Sequence, residues 1–281
     1  MNRFELIVDN VIKQNKDYPS LRTVVEKEIL HRDILTSMNN LGVLRDLTFM
    51  GGTCLRDCYF SPRLSEDLDF TGGFNFSKNT MKDLGNELSK DIHEKYNMNV
   101  SVTEPEKETG NTETWKIKII TKPERPDFPS QKINIDVCML PSYERKVNML
   151  KDFYSIDTGT ENILLYSESL EEIFIDKLIA FARRPNRVKN RDLWDIHWLS
   201  QKNVSFEKEL LNNKLNDRKI DKDNFTSIFT KRITEIESLQ KDFLFEMKRF
   251  LVPSAFTQSF TSDLWWQYLI NLLRNIENDF S

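Results

Sequence analysis

Asp67 and Asp69 stand two residues apart in the run Ser65-Glu66-Asp67-Leu68-Asp69-Phe70. On an extended strand, side chains at that spacing point to one face. Two carboxylates held together repel each other, and a divalent cation between them makes the arrangement favourable. The pair Gly51-Gly52, followed by Thr53, comes just before them. Glycine lets backbone N–H groups close on phosphate oxygens with no Cβ in the way. A helix opening at Thr53 would add a hydroxyl and an anion-attracting end. A phosphate-holding turn beside a carboxylate metal site implies chemistry on a nucleotide.

Nucleotidyl transfer asks for carboxylates to hold Mg²⁺ (or Mn²⁺), a turn to grip the triphosphate of an NTP and a cation to offset developing charge. It also needs a base or metal to activate the acceptor oxygen. Asp136 supplies a third carboxylate. In Ile133-Asn134-Ile135-Asp136-Val137 the apolar residues take one face, and Asn134 and Asp136 take the other. Asp67, Asp69 and Asp136 can then share two ions about 4 Å apart, with Asp136 helping to activate the acceptor. Each pattern taken singly also fits an ordinary turn, cap or solvated loop; taken together they favour the site.

Three further groups stay open on sequence alone. Lys177, among Phe174, Ile175, Leu178 and Ile179, is either a helix-flank lysine or the cation that neutralises phosphate. Asp192 and Asp195 share a helical face. Asp192 is either a first-turn acid favoured by the helix dipole or a partner that orients Lys177 or binds nucleotide. Arg183, Arg184, Arg187, Lys189 and Arg191 form a basic strip, either solvated or set against the phosphates of a polynucleotide acceptor.

The elements that must position these residues follow from periodicity. Residues 1–41 have helical spacing. Short strands are expected at 47–50 and 67–71 with a brief helix at 55–60 between them, then a helix opening at Ser77 and a strand at 99–103. A polar loop at 104–111 leads to the alternating run 115–120, which forms a hairpin with 133–137 across the Pro-rich turn 122–129. Residues 162–166 are expected to add a last strand. Helices are then expected at 169–183, stopping near Pro185, and at 192–199, 205–216, 223–249 and 262–279. This is an α+β organisation, with residues 1–166 as an α/β domain and 167–281 as a helical domain. Trp265-Trp266 fits a core position on the last helix better than an exposed partner surface.

Composition narrows the classes. The chain has 281 residues, 39% apolar, with 40 Lys plus Arg against 44 Asp plus Glu. A net charge of −4 argues against a general nucleic-acid coat protein and leaves room for a local basic patch. The first residues lack the apolar stretch of a signal peptide, and no segment nears the roughly 20 apolar residues that span a bilayer. A cytoplasmic protein is expected. Cys54, Cys58 and Cys138 suit buried hydrophobes rather than a disulfide framework. His31, His93 and His197 have no zinc spacing.

The ordered set of motifs resembles that of the AbiEii/AbiGii-type nucleotidyltransferase toxins, relatives of the MenT toxins. Gly51-Gly52-Thr53-x-Leu55-Arg56 with Arg63-x-Ser65-x-Asp67-Leu68-Asp69-Phe70 resembles the first motif, and Asp136 the second. Lys177 resembles the third, and Arg191-Asp192-Leu193-x-Asp195 the fourth. The resemblance spans roughly residues 49–196, and Thr53 stands where the superfamily often has Ser. It implies a DNA polymerase β-like nucleotidyltransferase fold with a mixed sheet, followed by a helical bundle. It places Gly51, Gly52, Thr53, Arg63, Ser65 and Lys177 on the nucleotide. It also implies a cognate antitoxin and an RNA acceptor such as a tRNA 3′ end. Two other readings compete: transfer to a small molecule such as an antibiotic, which predicts an acidic pocket, and a catalytically silent nucleotide-binding module, which predicts a missing carboxylate.

Overall fold

The computed structural model describes residues 2–106, 110–125, 127–154, 162–185 and 187–280. The chain divides into two compact units, residues 1–168 and 169–281. Parts of the expected loops at 104–111 and 122–129 lie outside the described residues.

The first unit opens with α1 (Arg3–Gln14), capped by Asn2 and Glu5 bonding each other's backbone. Pro19 opens a short 3₁₀ turn, and α2 (Arg22–Asn40) follows. The strands are β1 (Thr48–Met50), β2 (Leu68–Thr71), β3 (Asn99–Thr103), β4 (Thr112–Ile120), β5 (Gln131–Cys138), β6 (Arg145–Met149) and β7 (Leu164–Glu168). They form one mixed sheet in the order β3-β4-β5-β2-β1-β7-β6. Between β1 and β2 lies α3 (Gly51–Tyr59); between β2 and β3 lies α4 (Leu84–Tyr96).

Strand alternation gives the sheet two unlike faces. Phe49, Leu68, Phe70, Trp115, Ile117, Ile119, Ile133, Ile135 and Val137 are buried on one face. Phe49 and Phe70 are cross-strand partners there, with ring centroids 5.0 Å apart. Asp69, Thr114, Asn134 and Asp136 are half-buried on the other. The expected hairpin is present as the antiparallel β4–β5 pair, with β4 beginning three residues earlier than its alternation suggests.

The second unit consists of α5 (Leu170–Arg183), α6 (Asn190–Gln201), α7 (Lys208–Asp217), α8 (Lys222–Ile236), α9 (Gln240–Met247) and α10 (Asp263–Asn278) among its described residues. The single helix expected over 223–249 is two helices. The break leaves the Glu237 carbonyl exposed to a partner, and the Trp266 indole donates to it at 3.1 Å. Trp266 is buried, and Trp265 stacks on Phe243, consistent with the core position expected for this pair. Cys54 and Cys58 are buried thiols.

Candidate active site

One rung of the sheet carries the site. Thr114 on β4 is opposite Asp136 on β5, Asp136 is opposite Asp69 on β2, and Asp69 is opposite Met50 on β1. Met50 leads directly into the Gly51 that starts α3. Residues directly opposite on neighbouring strands point to the same face, so Asp69 and Asp136 project side by side. The Thr114 hydroxyl donates to Asp136 Oδ1 at 2.6 Å.

Asp67 precedes β2 and is held from two sides. Its Oδ1 accepts from the Asn134 backbone N–H at 3.1 Å, and its carbonyl accepts from the Thr53 hydroxyl. Thr53, expected to offer its hydroxyl to a triphosphate, thus ties the head of α3 to the acidic strand.

Both glycines lie in close approach, and at Gly51 the backbone conformation requires glycine as well. Gly51 has φ +75°, and a Cβ there would meet Asp69 Oδ2 at 2.5 Å. A Cβ on Gly52 would meet Arg63 Nη2 at 2.2 Å and Ser65 Oγ at 3.3 Å. The main chain at the start of α3 therefore lies against a carboxylate on one side and a guanidinium on the other. Met50 gives this helix no side-chain cap, and the first-turn N–H groups of a helix have no intrahelical acceptor. They suit phosphate oxygens.

Helix α2 grips the loop that delivers the acids. Glu28 Oε1 accepts from the Ser65 N–H at 3.1 Å, and Lys27 pairs with Glu66 at 3.2 Å. His31 Nε2 lies 3.0 Å from the Glu66 carbonyl. A carbonyl only accepts, so Nε2 carries the proton. Burial pushes the His31 pKa down to about 4, which keeps the ring neutral. Glu28 also accepts from Tyr154 and pairs with Arg56 at 3.2 Å, while Arg56 lies over the Phe153 ring. Arg56 is therefore part of the frame. Helix–loop contacts of this kind have no local periodicity, and sequence reading missed Lys27, Glu28 and His31. Thr114 was within reach: extending the alternation of 115–120 by one residue puts it on the polar face.

In the second unit, Lys177 Nζ pairs with Asp192 at 2.9 Å and with Asp195 at 2.8 Å. Arg184 Nε meets Asp192 at 2.6 Å. Burial opposes ionisation of Asp192, but Lys177 and Arg184 outweigh it and hold the carboxyl well below the usual range. Of the basic strip, Arg183, Arg187 and Lys189 are exposed. Arg184 is bound to Asp192, and Arg191 lies over Phe250 near Glu246.

The donors Asp67, Asp69 and Asp136 are hard oxygens, right for Mg²⁺ or Mn²⁺. Among the described residues no three His, Cys, Asp or Glu side chains form a metal-holding group. The Asp69–Asp136 pair suits the other common arrangement, in which one or two carboxylates hold Mg²⁺ and substrate phosphates complete its shell. The residues fit a substrate-completed site rather than a closed cage.

The profile of the nucleotidyl transferase AbiEii toxins of type IV toxin–antitoxin systems matches residues 33–262. The chain belongs to this family. AbiEii proteins are nucleotidyltransferase toxins, and the matched span includes Asp67, Asp69, Asp136, Asp192 and Asp195. Among solved structures, the MenT4 nucleotidyltransferase toxin of Mycobacterium tuberculosis is similar, with a TM-score of 0.61 at 12% identity. The match covers 99% of this chain and 90% of that one. JHP933 from Helicobacter pylori has a TM-score of 0.50 at 18% identity, covering 92% and 93%. At these identities the likeness is one of fold. No curated protein matches the chain. Among the described residues, no helix is long and apolar enough to cross a membrane.

Proposed function

We propose that this AbiEii toxin transfers a nucleotide from an NTP to an RNA acceptor, such as the 3′ end of a tRNA, with Mg²⁺ or Mn²⁺ as cofactor. The observation that supports this best is the juxtaposition of Asp69 and Asp136 beside the glycine head of α3. Asp69 and Asp136 hold the ion, with Asp67 completing the acidic edge. A bound divalent ion supplies Lewis-acid polarisation of the phosphates. The N–H groups of Gly52 and Thr53 receive the triphosphate, with Arg63 and Ser65 behind the turn. Lys177 serves as a phosphate-neutralising cation oriented by Asp192. Asp136 helps to draw the proton from the attacking hydroxyl. Arg183, Arg187 and Lys189 are the exposed cations best suited to contact an RNA backbone.

The working picture is a polymerase β-like catalytic domain followed by a helical domain, acting in the cytoplasm against a cognate antitoxin. The test is to incubate the protein with each α-labelled NTP, Mg²⁺ and total RNA. A labelled RNA with wild type and none with Asp69→Asn is expected; label incorporated equally by both overturns the assignment.

One observation favours a second acceptor class. A cleft of about 350 Å³ at the end of β3 and start of β4 is lined by Thr103, Glu104, Glu106, Glu113, Thr114 and Lys116. Three glutamates beside the residue that holds Asp136 suit a cationic small molecule. Transfer to a polyamine or aminoglycoside, with RNA left unlabelled, decides for that reading.

A further inference from the structure

We propose that Thr114 is a positioning residue for the metal site, its hydroxyl fixing Asp136 in the orientation that receives a divalent cation. The proposal rests on the metal reading of Asp69 and Asp136 given above, and adds a residue outside the motifs quoted for the resemblance.

The geometry is that of a strut. Thr114 and Asp136 are directly opposed in the antiparallel β4–β5 register, and Oγ1 lies 2.6 Å from Oδ1. A hydroxyl bonded to a carboxylate at that distance makes a charge-assisted hydrogen bond, shorter and stronger than a neutral one. Threonine is β-branched and stiff at χ1, so its oxygen is held by the strand rather than by solvent. A carboxylate otherwise turns freely about its last torsion, which is broad and roughly two-fold. With Oδ1 fixed, the plane of the carboxylate is set.

The direction matters because of what lies on the other side. Asp69 flanks Asp136 on the next strand, and the Gly51 backbone closes on Asp69 in turn. Like charge pushes the Asp136 carboxylate away from Asp69 and toward β4, where the Thr114 hydroxyl receives one of its oxygens. A hydroxyl on the far strand gives Asp136 a fixed partner and leaves its charge in place. Hydrogen-bond partners of metal ligands act this way elsewhere, and losing one typically lowers metal affinity or activity about 10- to 100-fold.

The experiment measures Mn²⁺ binding by the loss of the free-ion EPR signal, with a non-hydrolysable NTP analogue present. Wild type, Thr114→Val, Thr114→Ser and Thr114→Ala are compared, each with its melting curve. Thr114→Val should bind Mn²⁺ about 10-fold more weakly and melt as wild type does. Its transfer should fall at limiting Mn²⁺ and recover at saturation. Thr114→Ser, which keeps the hydroxyl, should bind as wild type does. Thr114→Ala should match the valine variant, and it replaces that variant should valine prevent folding. Wild-type affinity in Thr114→Val or Thr114→Ala overturns the proposal, as does a serine variant as weak as either. Wild-type protein that binds no Mn²⁺ overturns the metal reading, and this proposal with it.

Discussion

Asp69 and Asp136 stand opposite each other on parallel strands, with their carboxylates on the half-buried face of the sheet. Like charges directly opposed across strands destabilise a sheet, by an amount comparable to the 0.2–1 kcal/mol of other cross-strand pairs, so about 0.5 kcal/mol is a reasonable scale. Functional sites commonly keep such repulsion at the expense of stability. Asp69→Asn or Asp136→Asn should therefore leave the metal-free protein as stable as wild type, or more stable by about 0.5 kcal/mol. Each should abolish nucleotide transfer and growth inhibition. Urea unfolding beside a labelled-NTP assay checks both halves, and a substantial loss of stability would mark these acids as structural.

Gly51 and Gly42 form a matched pair for separating strain from contact. Both have positive φ, +75° and +76°, but a Cβ on Gly42 meets nothing within 4 Å, while one on Gly51 meets the Asp69 carboxylate. An L-residue in the left-handed region costs about 1–2 kcal/mol. Gly42→Ala should show that cost and retain transfer. Gly51→Ala should show the same cost or more and lose transfer. Transfer retained by Gly51→Ala would separate the turn from the chemistry.

The parts of the candidate site whose signal is local are the ones legible in the sequence. Glycines, acids two residues apart and alternating strands announce themselves within a window of a few residues, so Gly51 to Asp69 and Ile133 to Val137 were legible. Contacts between distant segments were not. His31 meets Glu66 and Gln131 meets Glu26 across long separations, and neither leaves a periodic trace. Strand β6 escaped because Arg145-Lys146-Val147-Asn148-Met149 has the charged character of an edge strand, and it does lie at the sheet's edge. The single helix expected over 223–249 kept helical periodicity through a turn containing neither Gly nor Pro.

Lys177 is embedded between two aspartates, so its substitution acts on stability as well as on any phosphate. Lys177→Met removes the cation that pairs with both buried Asp192 and Asp195, while Arg184 stays bound to Asp192. Breaking a buried ion pair by removing one partner costs about 3–5 kcal/mol. A loss near the lower end of that range is expected in urea unfolding, because Arg184 remains. A Lys177→Met protein as stable as wild type would mean that the ion cluster contributes little, and that any loss of transfer is purely catalytic.

His31 gives a pH signature with a definite sign. Desolvation lowers its pKa to about 4, outweighing the Glu66 carbonyl and the charges of Glu28 and Asp67 that raise it; Lys27 adds to the lowering. An unfolded histidine titrates near 6.5. Between those values the unfolded chain binds the proton and the native protein does not, so stability falls as pH drops from about 6.5 to 4. At about 1.4 kcal/mol per unit the full effect is roughly 3 kcal/mol. Asp57 works in the opposite sense. Burial raises its carboxyl to about 6 despite Arg32, so the native state takes up a proton first and gains stability on acidification. The two partly cancel in wild type, and the difference between wild type and His31→Gln isolates the histidine. Glutamine keeps an N–H for the Glu66 carbonyl but has no proton to gain. From pH 7 to 4.5, His31→Gln should lose roughly 2 kcal/mol less stability than wild type in urea unfolding. Parallel profiles would show that His31 is protonated as readily in the fold as outside it.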